Sequence, residues 1–186
     1  MNSATLGRLG AMLVSFALAW PWTAAGADDP GALALAVKAA FLVKFEPYVI
    51  WPAEAFPAAD SPFNLCVVGG APFGALLDRA AAGQGVAGHK IAVLRLTAVQ
   101  AEAHCQMIYI ATADAAGLRQ VLASVAGTPV LTVTDSVTDP ADKGMINFVV
   151  ADNRVRFEID AGAARRAGLD ISSKLLSLAV SVRAAP

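Results

Sequence analysis

Charge is scarce in this chain. Of 186 residues, 16% are Asp, Glu, Lys or Arg, and the formal net charge is −1. Without a basic excess there is no electrostatic footing for nucleic acid. No block of like charges marks a basic arm or an acidic tail. Histidine and cysteine are scarcer still: His89, His104, Cys66 and Cys105 are the full set. A zinc site needs several closely placed nitrogen or sulfur ligands, so no metal is expected. Each histidine reads as a solvated loop residue. With the two cysteines far apart, there is no C-x-x-C redox centre. Nucleophile motifs are missing too: G-x-S-x-G does not occur, and "ISSK" has Ile171 where S-x-x-K needs serine. These absences argue against an enzyme, and no catalytic residue or cofactor is expected.

Apolar residues are abundant, at 56%, which suits one compact domain with a sizeable core. The beginning of the chain reads differently. Arg8 precedes the apolar stretch "AMLVSFALAW", and Ala25-Gly26-Ala27 offers a small-x-small cleavage site before Asp28. This pattern predicts a secretory signal peptide over residues 1–27 and a single domain over 28–186. The apolar run falls short of the roughly 20 residues of a membrane span, so no membrane insertion is expected after cleavage. Export to an oxidising compartment makes the even cysteine count suggest a Cys66–Cys105 disulfide. Its loop of about 40 residues corresponds to roughly 4 kcal/mol in the chain-entropy picture. Two separate buried thiols are the alternative.

Asp29-Pro30 predicts a helix start, and "GALALAVKAAFLVKF" a largely buried helix whose few polar positions are Lys38, Lys44 and Glu46. "YVIWPAEAF" reads as a short irregular or helical segment. Apolar runs "FNLCVVGG", "HKIAVLRLT", "CQMIYIAT" and "TPVLTVTDS" read as strands. Between them, "APFGALLDRAAAG", "AVQAEAH" and "DAAGLRQVLASVAG" read as helices. This alternation predicts an α/β fold with a mostly parallel central sheet flanked by helices. "GMINFVVADNRVRFEID" adds a C-terminal antiparallel hairpin turning at Asp152-Asn153. "AGAARRAGLDISSKLLSLAVSV" reads as a closing helix, interrupted near Gly168 and restarting after Asp170 as its cap.

"GQGVAG" spells G-x-G-x-x-G through Gly83, Gly85 and Gly88. A dinucleotide site needs a strand before this motif and a helix after it. Here the order is reversed, so the glycines read as a helix stop and a turn. Two other features stand out. Glu158, at a strand end, and Arg165 with Arg166, opening the last helix, form either an ordinary surface ion pair or a polar recognition patch. Trp51-Pro52 is either core packing or an aromatic anchor at an interface.

The ordered set "KAAFLVKFEPYVIWP", "NLCVVGGAPFG", "PVLTVTD", "GMINFVVADNRVRFEID" and "RRAGLDISSKLLSLA" resembles the YfiR family, periplasmic proteins with the DUF4154 domain, from about Lys38 to Val182. The resemblance implies a repressor that binds the periplasmic sensor domain of an inner-membrane diguanylate cyclase. It thereby controls cyclic di-GMP and biofilm formation. An outer-membrane lipoprotein that sequesters the repressor is a further implied partner, and so is a second copy in a homodimer. Cys66 and Cys105 match the family's more widely shared cysteine pair. The second pair of some members is missing from "TDPADKGMINF", which puts redox switching through it in doubt. Trp51, Pro52, Glu158 and Arg166 match positions that the resemblance places on the family's conserved or interacting surface. The alternative is a periplasmic small-ligand sensor with a pocket near Trp51, Glu158 and Arg166. A thiol-based enzyme is the third reading.

Overall fold

The computed structural model describes residues 30–86, 88–112 and 114–184. The expected signal peptide and the Asp29 cap lie outside them. The element order is α1 (Pro30–Phe45), β1 (Val49–Ile50), β2 (Phe63–Gly69), α2 (Ala75–Ala81), β3 (Gly85–Val86), β4 (His89–Leu96), β5 (Cys105–Ala111) and α3 (Ala115–Ser124). Then follow β6 (Leu131–Asp135), β7 (Ile146–Ala151), β8 (Arg154–Asp160), α4 (Ala161–Arg166), β9 (Asp170–Ile171), α5 (Ser173–Leu176) and β10 (Ser181–Arg183).

The chain is a mixed α/β protein. Its main sheet has the order β10-β8-β7-β6-β5-β2-β4, lengthened at one edge by β3. Strands β4, β2, β5, β6 and β7 run parallel, β8 returns antiparallel to β7, and β10 lies parallel to β8. A separate two-stranded antiparallel pair joins β1 to β9, Val49 opposite Ile171.

Side chains alternate across a strand, so each central strand feeds two cores. Leu65 and Val67 of β2, with Met107 and Tyr109 of β5, enter the cluster under α1 and α2. Cys66, Val68, Ile108 and Ile110 enter the cluster under α3. With both faces covered, these strands are continuous apolar runs. Phe41 and Phe45 of α1 meet Phe148 and Phe157 with ring centroids 5.1–6.1 Å apart, fixing α1 across β7 and β8. Cys66 and Cys105 are joined in a disulfide, Cα–Cα 5.9 Å, linking β2 to β5.

One connection is unusual. Parallel neighbours β6 and β7 are joined by residues 136–145 without a helix, where a crossover helix is the common solution. Polar residues facing the α3 side of the sheet hold this loop in place. Thr134 Oγ1 accepts from the Gly144 N–H (3.0 Å) and Thr132 Oγ1 from the Met145 N–H (3.0 Å). The buried Asn147 accepts from the Val137 N–H and donates to the Val137 carbonyl. Gly144 passes so close to β6 that a β-carbon there would sit 2.8 Å from the Thr132 carbonyl oxygen. Asp142 is anchored to Arg119 of α3 at 2.8 Å.

Several expectations need correction. The last segment is two short helices interleaved with strands β9 and β10, because each piece packs against a different neighbour. Asp170 lies in β9; the cap is Ser172, whose hydroxyl accepts from the Leu175 N–H. The segment after α1 includes β1, paired with β9. Helix α2 begins at Ala75 rather than at Ala71. His89 is no solvated loop residue: it opens β4, hydrogen-bonds the Ser61 carbonyl at 2.6 Å and stacks on Phe56 at 4.0 Å. The motif glycines form a turn as expected, but the turn is a hairpin. Gly85 pairs with Lys90, and a β-carbon on it would collide with the His89 carbonyl oxygen. The Asp152-Asn153 turn has positive φ at both residues, 51° and 56°, the conformation of a two-residue hairpin loop.

Candidate functional site

Strand β8 splits its side chains between two environments. Val155, Phe157 and Ile159 pack toward α1, while Arg154, Arg156, Glu158 and Asp160 alternate with them. On that polar face Glu158 pairs with Lys143 of the crossover loop at 2.6 Å and accepts from Asn147 Nδ2 at 3.3 Å. The Lys143 ammonium, helped by Asn147 and the Ser181 hydroxyl, holds the Glu158 carboxyl below the usual carboxylate range. Nearby, Asp160 receives Arg183 of β10 at 3.4 Å, and its other oxygen caps α4 through the Ala163 N–H at 2.7 Å. These groups line a polar pocket of about 80 Å³.

Helix α4 carries Arg165 and Arg166 in its last turn, both exposed. The expected pairing of these arginines with Glu158 is not what forms. Glu158 is held by Lys143 instead, and among the described residues neither guanidinium has an ion-pair partner. Lys143 is a common wall: it lines the Glu158 pocket and also a wider depression of about 440 Å³ with Met145 and Arg166. The sequence carries no mark of Lys143, which acts from a loop 15 residues before Glu158.

Trp51 follows β1 and is half-buried. Its indole N–H donates to the Gln106 carbonyl at 3.1 Å, and its ring meets Phe63 edge-on at 5.0 Å. These contacts pack the ring against the core and leave it half-buried. The buried Gln106 extends the network, accepting from the Asn64 N–H at 2.7 Å and donating to the Ala55 carbonyl at 2.5 Å. Pro52 lies beside Gly168, 3.9 Å from where a β-carbon would stand. That glycine is two residues past Arg166, so the β1–β9 pair brings Trp51-Pro52 next to the end of α4. Trp51 and Glu158 meet different surroundings: one faces Gln106 and Phe63, the other the Lys143 pocket.

Two of the polar positions of the first helical segment, Lys38 and Glu46, are drawn inward. Lys38 of α1 pairs with Asp135 at 2.5 Å, and the Tyr109 hydroxyl donates to the same carboxylate at 2.9 Å. Burial, reinforced by Asp135, pushes the Tyr109 hydroxyl well above its ordinary range. Glu46, after α1, is 3% exposed, and burial raises its carboxyl to about 7. A polar residue at the end of an apolar run carries no mark in the sequence of whether it faces core or solvent.

Among the described residues no group of three or more His, Cys, Asp or Glu is placed to hold a metal ion. No described helix is long and apolar enough to cross a membrane. The family model described as DUF4154, YfiR/HmsC-like, matches residues 35–180, from within α1 almost to β10. At family level this describes a periplasmic regulator of diguanylate cyclases, regulatory rather than catalytic. With the match running over most of its length, the chain belongs to the YfiR/HmsC-like family.

Proposed function

We propose that this protein represses an inner-membrane diguanylate cyclase by binding its periplasmic sensor domain, so limiting cyclic di-GMP and biofilm formation. Cleavage after Ala27 releases the chain from Asp28 onward into the periplasm. The contact surface in this reading comprises Trp51, Pro52, Glu158, Arg165 and Arg166. The observation that carries it is the pair of exposed guanidiniums on α4, unpaired among the described residues, beside the Pro52–Gly168 contact. Exposed arginines are favoured at protein interfaces, where they pair with carboxylates of the partner. Trp51 serves by setting the shape of that surface, and Lys143 by holding Glu158 in one orientation.

Repression of this kind needs no bond-making. The protein binds one conformation of the sensor more tightly than the other, and the cyclase population shifts by that difference in affinity. Self-association and capture by an outer-membrane lipoprotein are further steps of the same proposal. Deletion of the gene, in a strain that possesses the cognate cyclase, is expected to raise cyclic di-GMP and surface attachment. Unchanged levels in that strain would overturn the reading.

A further inference from the structure

Helix α1 has apolar residues on every side, a pattern suited to full burial, yet residues 30–33 at its start are exposed. Ala39, Leu42, Val43 and Phe45 are buried, whereas Leu33 is 66% exposed. Across from it on the β7–β8 hairpin, Val150 is 64% exposed. Between them runs a groove of about 500 Å³ lined by Leu33, Val37, Phe41, Val150 and Val155, with Arg154 and Arg156 along its border.

The same border is an open sheet edge. Strand β10 covers β8 only from Glu158 to Asp160. The Phe157 carbonyl points outward and accepts from the Val180 N–H at 2.9 Å. By the two-residue alternation of an antiparallel strand, the Val155 N–H and carbonyl point outward as well. No described strand pairs with Arg154, Val155 or Arg156 on that side. The Arg154 and Arg156 side chains stand on the opposite face of the strand from Val155, and neither has an ion-pair partner among the described residues.

We infer that this edge is a second docking site, which takes an extended segment of a partner protein with alternating apolar and acidic side chains. Main-chain bonds to Val155 continue the line of β10. The apolar residues enter the groove against Leu33 and Val37, and the acidic residues meet Arg154 and Arg156 on the other face. The inference rests on the reading that this protein works through protein contacts. It concerns a different surface from α4, so variants at Arg165 and Arg166 test that reading separately.

The test uses the chain from Asp28 onward and short fluorescent peptides that alternate valine with glutamate or valine with lysine. Anisotropy should show the glutamate peptide binding roughly tenfold tighter or more. The R154E/R156E double variant should reverse that preference, and Leu33→Ser should weaken both peptides. Amide exchange at Val155 should slow when the glutamate peptide is bound. Equal affinity for the two peptides, or a preference that survives charge reversal in a variant with an unaltered melting temperature, would overturn the inference. So would sedimentation showing copies of the chain paired through this groove and separated by Leu33→Ser, since the occupant would then be a second copy.

Discussion

At the residue scale, stability depends on a few polar groups placed where the composition makes polar groups rare. Glu46 is the clearest case. Its folded carboxyl titrates near 7 against an ordinary 4.5, because burial disfavours the charged form. The folded state therefore holds a proton that the unfolded state has released. This favours folding fully below about 4.5, and the contribution is lost as pH rises through about 7. Urea unfolding of the wild type should lose stability between about pH 4.5 and 7 relative to Glu46→Gln, by an amount on the order of 3 kcal/mol at most. Parallel pH profiles for the two proteins would contradict this account. Glu158 behaves in the opposite sense: Lys143 keeps it ionised, so its contribution is present at neutral pH and fades on acidification through its lowered value.

At the scale of elements, the helix-free crossover between β6 and β7 is the most demanding local feature. Thr132, Thr134 and Asn147 replace the hydrophobic contacts a helix would have made. Gly144→Ala should cost about 1–3 kcal/mol, because its new methyl meets the β6 backbone rather than a movable side chain. A thermal melt indistinguishable from the wild type would show that the loop yields. The disulfide acts at the same scale, tying β2 to β5 across a sequence separation of 39. Replacing both cysteines with alanine should cost about 2–4 kcal/mol in urea unfolding. Alkylation of the unreduced protein should label neither Cys66 nor Cys105, and free labelling of both would count against the bridge.

This scale also shows what the sequence made legible. Strands β2, β5 and β6 were readable because burial on both faces demands uninterrupted apolar runs. The β7–β8 hairpin was readable because Asp152-Asn153 is chemistry suited to a tight turn. The end of the chain was not. Elements of two to six residues, such as β9 and α5, are too short for either periodicity to declare itself, and their partners lie far away: β9 pairs with β1 more than a hundred residues earlier. The exposed arginines of α4 were visible as charges. What Glu158 binds was not, because a surface carboxylate in sequence carries no mark of which loop lysine will reach it.

At the scale of the whole molecule, the sheet separates two kinds of surface. The faces under α1, α2 and α3 are packed core, while the β8 end carries the polar pocket, the α4 arginines and the open edge. That asymmetry suits a protein that acts by being bound at one end of its sheet. The most direct measurement is the affinity of the purified chain from Asp28 onward for the purified periplasmic domain of the cyclase whose output rises on gene deletion. The account predicts a stable complex that the R165E/R166E double variant weakens by roughly tenfold or more with its melting temperature unchanged. No binding to that domain, or equal binding by the wild type and the charge-reversed variant, would contradict it.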